Sequence, residues 1–219
     1  ANAHGGYIEI SLGDTKLLLG EGLNLGYLIK GEELQQKHQL LIQFEDESAF
    51  VGSVQMYGGI WCFEGEQFDN TYYRVAKEKP SPLYESFDMD YFERIRSDES
   101  LKNKSLKFFL ATEQRIPGLG NGVLQDILFN ARLHPKRKLS TLSKEETEKL
   151  YHSIKSTLCE MVAGGGRDTE KDLFGCLGGY ATKLGKRTVK DPCRVCGGNI
   201  IKEAYMGGSV YYCKGCQLE

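Results

Sequence analysis

The sequence predicts an α+β protein of two domains: a β-sandwich, incomplete at its start, followed by a helical domain that ends in a cysteine-bearing β-hairpin. Three observations lead to this prediction: an apolar period of two near the start, a helical period after residue 105, and two cysteine pairs near the end. The chain has 219 residues, enough for two units that each bury a core.

Composition indicates a globular protein rather than a membrane or secreted one. Hydrophobic residues make up 40% of the chain, none of their runs could cross a bilayer, and no signal-peptide pattern opens the sequence. Of the seven cysteines, four are closely paired, and three are scattered: Cys62, Cys159 and Cys176. This usage is typical of a reducing compartment, and we expect a cytoplasmic protein.

Charge is distributed unevenly along the chain. The formal net charge is only −2, but residues 132–138 and 183–194 are basic, whereas residues 85–100 are acidic. A local basic stripe can follow phosphates, or it can be an ordinary solvated surface. Charge alone leaves both interpretations open.

Residues 1–80 have the pattern of a β-sandwich. In "YIEISLG" apolar and polar residues alternate, and the side chains expected to face the core are Ile8, Ile10 and Leu12. Residues 38–63 are rich in β-branched and aromatic residues and indicate two strands around an acidic turn. Two prolines within 78–83 predict a linker between the domains.

Residues 84–180 are expected to form the helical domain. Helices are predicted over 105–116, over 121–133, and from a capping box at Ser143 and Glu146 onwards. The apolar stripes of the last two comprise Val123, Leu124, Ile127, Leu128, Ala131, Leu150, Ile154, Leu158 and Met161. The Gly-rich, polar residues 164–192 predict a mobile loop.

The last unit, residues 187–219, carries the four paired cysteines. Cys193, Cys196, Cys213 and Cys216 are spaced as C-x2-C, sixteen residues, then C-x2-C, which is typical of a tetrahedral Zn²⁺ site. Iron or a pair of disulfides are the less favoured alternatives. Because four sulfurs leave no position for a catalytic water, we expect one structural zinc ion.

The turn "PGLGN" (117–121) precedes the second predicted helix. Glycines there permit unusual backbone angles and leave the N–H groups of the helix open, which suits a phosphate, and Asn121 at the N-cap can add its amide. The other interpretation is a tight turn chosen for packing alone. These five residues do not decide between the two.

The longer context resembles a known family. The segment "LKFFLATEQRIPGLGNGVLQDILFNARLHPKRKLSTLS" resembles the helix–two-turns–helix of the formamidopyrimidine-DNA glycosylase and endonuclease VIII family, and "DPCRVCGG…YYCKGCQ" resembles its zinc finger. The resemblance runs from about residue 35 to the end. It implies excision of oxidised bases from duplex DNA, followed by strand cleavage by β-elimination (AP lyase activity) through a Schiff base.

The resemblance also implies roles for individual residues. Lys107 matches a lysine near the damaged nucleotide, and Lys37 matches one that holds a phosphate beside the lesion. These two are the candidate catalytic residues. Met56 matches a residue that fills the gap left by the flipped base. The DNA-binding set is completed by Asn121, Gly118 and Gly120.

Two further segments match loops of the family. Residues 69–75 stand where a loop supplies an arginine and an aromatic wedge, here Tyr72 or Tyr73. Residues 164–175 match the loop over the extruded base.

The chain departs from the family pattern at three places. Gly208 stands where the finger carries an arginine that grips phosphates, and the wedge loop differs. The family begins with Pro-Glu, whose proline amine is the nucleophile, whereas this sequence begins "ANAHGGYIEI". We therefore expect an upstream segment with Pro-Glu. The amine of Ala1, Lys37 or Lys107 would be a weak substitute.

Three functions compete at this stage. The first is a base-excision glycosylase and lyase that acts as a monomer on damaged duplex DNA, in a bacterial cytoplasm at the nucleoid and not at a membrane. The second is a catalytically silent relative that binds damaged DNA. The third is a zinc-ribbon module for protein interaction, which leaves the glycine turn and the position of Lys107 unexplained.

Overall fold

The computed structural model describes residues 1–34, 37–55, 58–66 and 68–218, and it confirms the predicted α+β class. Strands occupy the first part of the described chain, helices the middle, and a two-stranded hairpin the end. Within these residues, no helix is both long and apolar enough to span a membrane.

Two antiparallel sheets form the first part. One has the order β1 (Asn2–His4), β2 (Tyr7–Leu12), β3 (Thr15–Leu19) and β7 (Ile60–Glu64); the other has the order β4 (Leu23–Leu28), β6 (Ala49–Val54) and β5 (Leu40–Gln43). Residues 38–63 thus contribute to three strands, not two. One further backbone hydrogen bond extends a strand pair in each sheet. Between β3 and β7 the N–H of Gly20 donates to the Gly59 carbonyl at 2.9 Å, and between β4 and β6 the N–H of Gln55 donates to the Gly22 carbonyl at 2.8 Å.

Strand β2 faces the opposite way from the prediction. Glu9 is only 3% exposed, whereas Ile8 and Leu12 are 45% and 59% exposed. The strand alternates as predicted, but the Glu9 carboxylate lies on the buried face because a tyrosine hydroxyl and two lysine ammonium groups contact it there. A buried carboxylate is tolerated only when it is paired in this way.

Within the described residues, the second part contains the α-helices α1 (Thr71–Glu78), α2 (Met89–Arg96), α3 (Leu106–Ala111), α4 (Asn121–Ala131) and α5 (Lys144–Ala163), with short 3-10 turns at Glu99–Leu101 and Leu139–Thr141. The capping box at Ser143 and Glu146 is present at the start of α5, as predicted. Helix α3 ends at Ala111 rather than at residue 116, and α2 lies in the acidic stretch where no helix was predicted. Helix α4 ends early because Arg132 is left-handed, with φ 58°.

The predicted apolar stripes of α4 and α5 face the core of the helical part. Their fully buried members are Leu124, Ile127, Leu128, Ala131, Leu150, Ile154 and Met161, and Val123 and Leu158 are partly buried. The last strands, β8 (Ile200–Tyr205) and β9 (Gly208–Cys213), pair antiparallel, and β9 lies against α4.

The segment after α5 is more regular than its composition predicts. It is a loop with two backbone bridges, a parallel one between Arg167 and Tyr180 and an antiparallel one between Lys171 and Leu177. Its mobility remains a prediction. At its tip the Leu173 carbonyl accepts a hydrogen bond from the N–H of Tyr27 in β4 at 2.9 Å. The rings of Phe174 and Tyr27 also meet edge to face, 5.6 Å apart.

Candidate nucleic-acid interface and metal centre

Four cysteine sulfurs converge at the end of the β8–β9 hairpin. The Sγ atoms of Cys193, Cys196, Cys213 and Cys216 all lie within 4.8 Å of one another. Cys193 and Cys216 are 3.7 Å apart at sulfur, and Cys196 and Cys213 are 3.4 Å apart. A tetrahedral zinc ion separates its sulfurs by about 3.8 Å, whereas a disulfide needs about 2.05 Å. The cluster therefore suits a metal ion and not two disulfides.

Lys107 and Asn121 both reach the turn of this hairpin. The Lys107 ammonium donates to the Tyr205 carbonyl, and the Asn121 amide donates to the Ser209 carbonyl at 3.1 Å. A Cβ on Gly208 would stand 3.5 Å from the Lys107 Nζ and 3.4 Å from the Asn121 Nδ2. The position expected to carry an arginine is thus empty of side chain, and the lysine and asparagine occupy the adjoining space.

The environment of Lys107 is unusual for a lysine. The residue is 4% exposed, and this burial lowers the pKa of its ammonium. Its Nζ also lies 5.8 Å from the centroid of the Tyr205 ring. A lysine held this way has little freedom left to lose when it binds an anion.

Gln125 completes the junction and was missed by the sequence reasoning. Its amide donates to the Ser209 carbonyl at 3.2 Å, and its Oε1 accepts from the N–H of Tyr211 at 3.0 Å. It is 3% exposed. The available signal was its position one helical turn after Asn121, which places both amides on one face of α4.

The glycine turn has a different geometry from the one predicted. Gly120 is the N-cap of α4 and Asn121 is its first residue, so Asn121 is not the cap. Gly118 has a φ of +78°, and a Cβ there would stand 3.3 Å from the Gly5 Cα. Gly120 has an ordinary φ of −102°. Both the left-handed backbone of Gly118 and its packing against the β1–β2 turn favour glycine there. The DNA-binding roles assigned to Gly118 and Gly120 remain predictions.

A cleft lies beside this turn, between the sheets and the helices. It is lined by residues 111–114 and 118–121 together with Glu21 and Tyr72. Residues 69–75 were expected to be a loop, but Asn70 caps α1 here and most of the segment is helical. Tyr73 is 1% exposed and cannot be a wedge, whereas Tyr72 is 54% exposed.

Tyr73 instead belongs to a buried charged cluster beneath α1. Its hydroxyl donates to Glu9, whose carboxylate also lies 3.2 Å from the Lys77 Nζ and 3.5 Å from the Lys16 Nζ. Burial alone would raise the pKa of Glu9, but the hydrogen bonds from Tyr73 and Lys77 hold it below its usual value. Glu9 in turn raises the pKa of Lys77. The cluster therefore consists of fixed ion pairs.

Asp126 ties the basic stretch 183–194 to α4. Its carboxylate accepts from the N–H groups of Lys183 and Leu184 at 2.9 and 2.8 Å. The residue is 1% exposed, and burial raises its pKa. The start of the basic stretch is therefore fixed on the helix that begins with Asn121.

The remaining predicted residues are not brought to this junction by any described contact. Lys37 is exposed and lies just before β5, and no described hydrogen bond or ion pair joins it to Lys107 or to the glycine turn. Met56 lies outside the described residues. The roles assigned to both remain predictions.

Fold and site define a class: an α+β protein in which a helical domain with an open glycine turn meets a four-cysteine hairpin. Residues 79–172 match the family described as "Formamidopyrimidine-DNA glycosylase H2TH domain". The formamidopyrimidine-DNA glycosylase of Cytobacillus firmus is 39% identical over 202 residues, which cover 88% of this chain and 70% of the relative. The chain therefore belongs to the formamidopyrimidine-DNA glycosylase family.

Solved structures agree in fold. The MutM (Fpg) protein of Thermus thermophilus superposes with a TM-score of 0.82 at 23% identity, covering 99% of this chain and 81% of that one. The Lactococcus lactis Fpg in complex with an abasic site containing DNA has a TM-score of 0.83 at 22% identity, covering 100% and 81%. At such identity the likeness concerns the fold alone.

Proposed function

We propose that this protein is a base-excision DNA glycosylase that removes oxidised bases from duplex DNA. The observation that carries the proposal is that Lys107 of α3 and Asn121 of α4 both lie against Gly208 in the hairpin, which comes much later in the chain. An ammonium, an amide and a glycine without a side chain beside them suit a DNA phosphate. Membership of a family whose relatives are named as glycosylases favours catalysis over the silent alternative.

The metal has a structural role in this proposal. We infer that the four cysteines hold Zn²⁺, because an all-sulfur tetrahedral set suits that ion and the sulfur separations fit it. With its coordination filled, the ion would contribute no bound water. It would fix the hairpin, and through the hairpin the carbonyls that orient Lys107 and Asn121.

We further propose AP lyase activity, which needs an unprotonated amine at C1′ of the damaged nucleotide. The amine attacks C1′ and the base leaves; opening of the C1′–O4′ bond of the sugar then gives an iminium at C1′. The iminium acidifies the C2′ proton, and removal of that proton expels the 3′ phosphate by cleavage of the C3′–O bond, which breaks the strand. Lys16 and Lys77 are unsuited. The hydrogen bond that Lys16 donates to Glu66 raises the pKa of Lys16. Burial lowers the pKa of Lys77, but the hydrogen bond that Lys77 donates to Glu9, together with its other contacts, outweighs burial and raises that pKa. Burial favours the neutral amine of Lys107, but its bond to Tyr205 suits it better to phosphate binding.

The test separates the competing functions. A duplex with one formamidopyrimidine base is incubated with the protein, free base and strand scission are measured separately, and borohydride is added to trap a Schiff base. Release of the base supports a glycosylase, and trapping with scission supports the lyase. Tight binding of an abasic duplex without release would favour the silent relative, and no preference for damaged DNA would overturn the proposal.

A further inference from the structure

A second cation, Arg167, lies beside the glycine turn. The family resemblance places residues 164–175 over the extruded base but gives Arg167 itself no contact with the DNA backbone. The guanidinium of Arg167, from the loop after α5, lies against Gly122 in the first turn of α4. A Cβ on Gly122 would stand 2.7 Å from Nη1 and 2.8 Å from Nη2 of Arg167. No side chain other than hydrogen could occupy this position without displacing the guanidinium.

Glu170 fixes the orientation of the Arg167 side chain. Its Nε and Nη2 both donate to Oε1 of Glu170, at 3.1 and 2.6 Å, and its own N–H donates to Oε2 of the same residue. Among the described residues, Nη1 has no hydrogen-bond acceptor. The side chain is 16% exposed, Gly122 is exposed, and Nη1 is not among the buried atoms that lack a partner, so Nη1 can be reached from solvent at the first turn of α4.

We propose that Arg167 is a phosphate-binding residue of the DNA interface, contacting the backbone beside Asn121 through Nη1. The inference rests on the proposed function, because it assumes that the glycine turn faces DNA. The family pattern has a phosphate-binding arginine in the zinc hairpin, where this chain has Gly208. Arg167 would supply a guanidinium close to Asn121 from a different segment of the chain. A guanidinium that is already paired and oriented loses little entropy when it gains a phosphate oxygen.

The test measures affinity for a duplex with a stable abasic analogue across a series of salt concentrations. Arg167→Gln should weaken binding about tenfold and reduce the slope of log K against log salt by about 0.9. Arg167→Lys should keep the slope and lose part of the affinity. Gly122→Ala should weaken binding as well, because its Cβ displaces the guanidinium although alanine favours the helix.

Arg96→Gln is the matched control, since Arg96 also pairs with a glutamate three residues away, at 2.7 Å, but lies in α2. This variant should bind like the parent. A parental salt slope in Arg167→Gln would overturn the inference, as would a loss of affinity with unchanged slope, which indicates packing alone. If Arg167→Gln does not fold, parental binding by Gly122→Ala would overturn it. A parent that does not bind the duplex contradicts the proposed function instead.

Discussion

The Lys107 ammonium lies 3.5 Å from the position that a Cβ of Gly208 would take. The two residues are far apart in the sequence, one in α3 and the other at the start of β9. The hairpin has no side chain at Gly208, and the ammonium of Lys107, which comes from the helical domain, lies next to that position. Anything that loosens the hairpin therefore also releases Lys107.

The metal prediction follows directly from this link. Cys213→Ser should abolish binding of one zinc ion per chain and weaken affinity for abasic DNA, because the hairpin no longer orients Lys107 and Asn121. Elemental analysis of protein purified without chelators gives the zinc content. Cys159→Ser is the control, since Cys159 is exposed on α5 and outside the cluster. Parent protein without zinc would contradict the assignment.

The two turn glycines should respond differently to alanine. Gly118→Ala should lower the free energy of unfolding by about 1–2 kcal/mol, because Gly118 is left-handed and a Cβ there meets Gly5. Gly120→Ala should cost less than about 1 kcal/mol, because its φ of −102° suits alanine. Denaturant unfolding measures both. If both substitutions lower the free energy of unfolding equally, the left-handed backbone at Gly118 is not the reason that glycine is needed there.

The buried carboxylate predicts a dependence of stability on pH. The folded-state pKa of Glu9 lies below its unfolded value, so the unfolded chain binds the proton more readily. The stabilisation is complete above the unfolded pKa of about 4.3 and is lost as the pH falls through the lower folded pKa. Glu9→Gln should therefore be less stable by about 1–3 kcal/mol near neutral pH.

The loss of stability at acid pH distinguishes the contribution of Glu9 from those of its titratable neighbours. Glu66, whose pKa Lys16 lowers, and His4, whose pKa burial lowers, titrate in both proteins. Glu9→Gln should therefore show a shallower loss of stability below pH about 4.3, not a flat profile. Urea unfolding over a pH series measures this. Parallel profiles for parent and variant would contradict the assigned ion pairs.

Lys37 supplies a prediction that rests on the family resemblance. Its replacement by alanine should weaken binding to damaged duplex and lower the salt slope by about 0.9, as expected for one lost phosphate contact. Lys30 is the control, because it is exposed and paired with Glu47 at 2.7 Å. If Lys37→Ala binds like Lys30→Ala at every salt concentration, the assigned phosphate contact is wrong.

Regular patterns in the sequence predicted the parts of the fold that depend on local physics. The capping box of α5 and the apolar faces of α4 and α5 were predicted because each is set by residues within one helix. The inward face of β2 was not, because Glu9 is stabilised by Tyr73 and Lys77, which follow long after it in the chain. Alternation fixes which residues share a face but not which face is buried.

The candidate site shows the same division. Cysteine spacing predicted the metal cluster, since two tight knuckles are local. The junction of Gln125 with Ser209 and Tyr211 depends on how the hairpin docks on α4, which no local pattern encodes. Of the two candidate wedge residues, Tyr73 is buried for a related reason: Asn70 caps a helix, and that helix turns Tyr73 inward. Tyr72 is exposed, and its role as a wedge remains a prediction.

The most direct test of a shared phosphate-binding junction is a double-mutant cycle between Lys107 and Asn121. Affinity for an abasic duplex is measured for the parent, Lys107→Met, Asn121→Ala and the double variant at several salt concentrations. We expect each single change to weaken binding about tenfold, and the double change to cost less than the sum, because both groups bind one phosphate through one hairpin turn. Strict additivity, or singles that bind like the parent, would contradict this account.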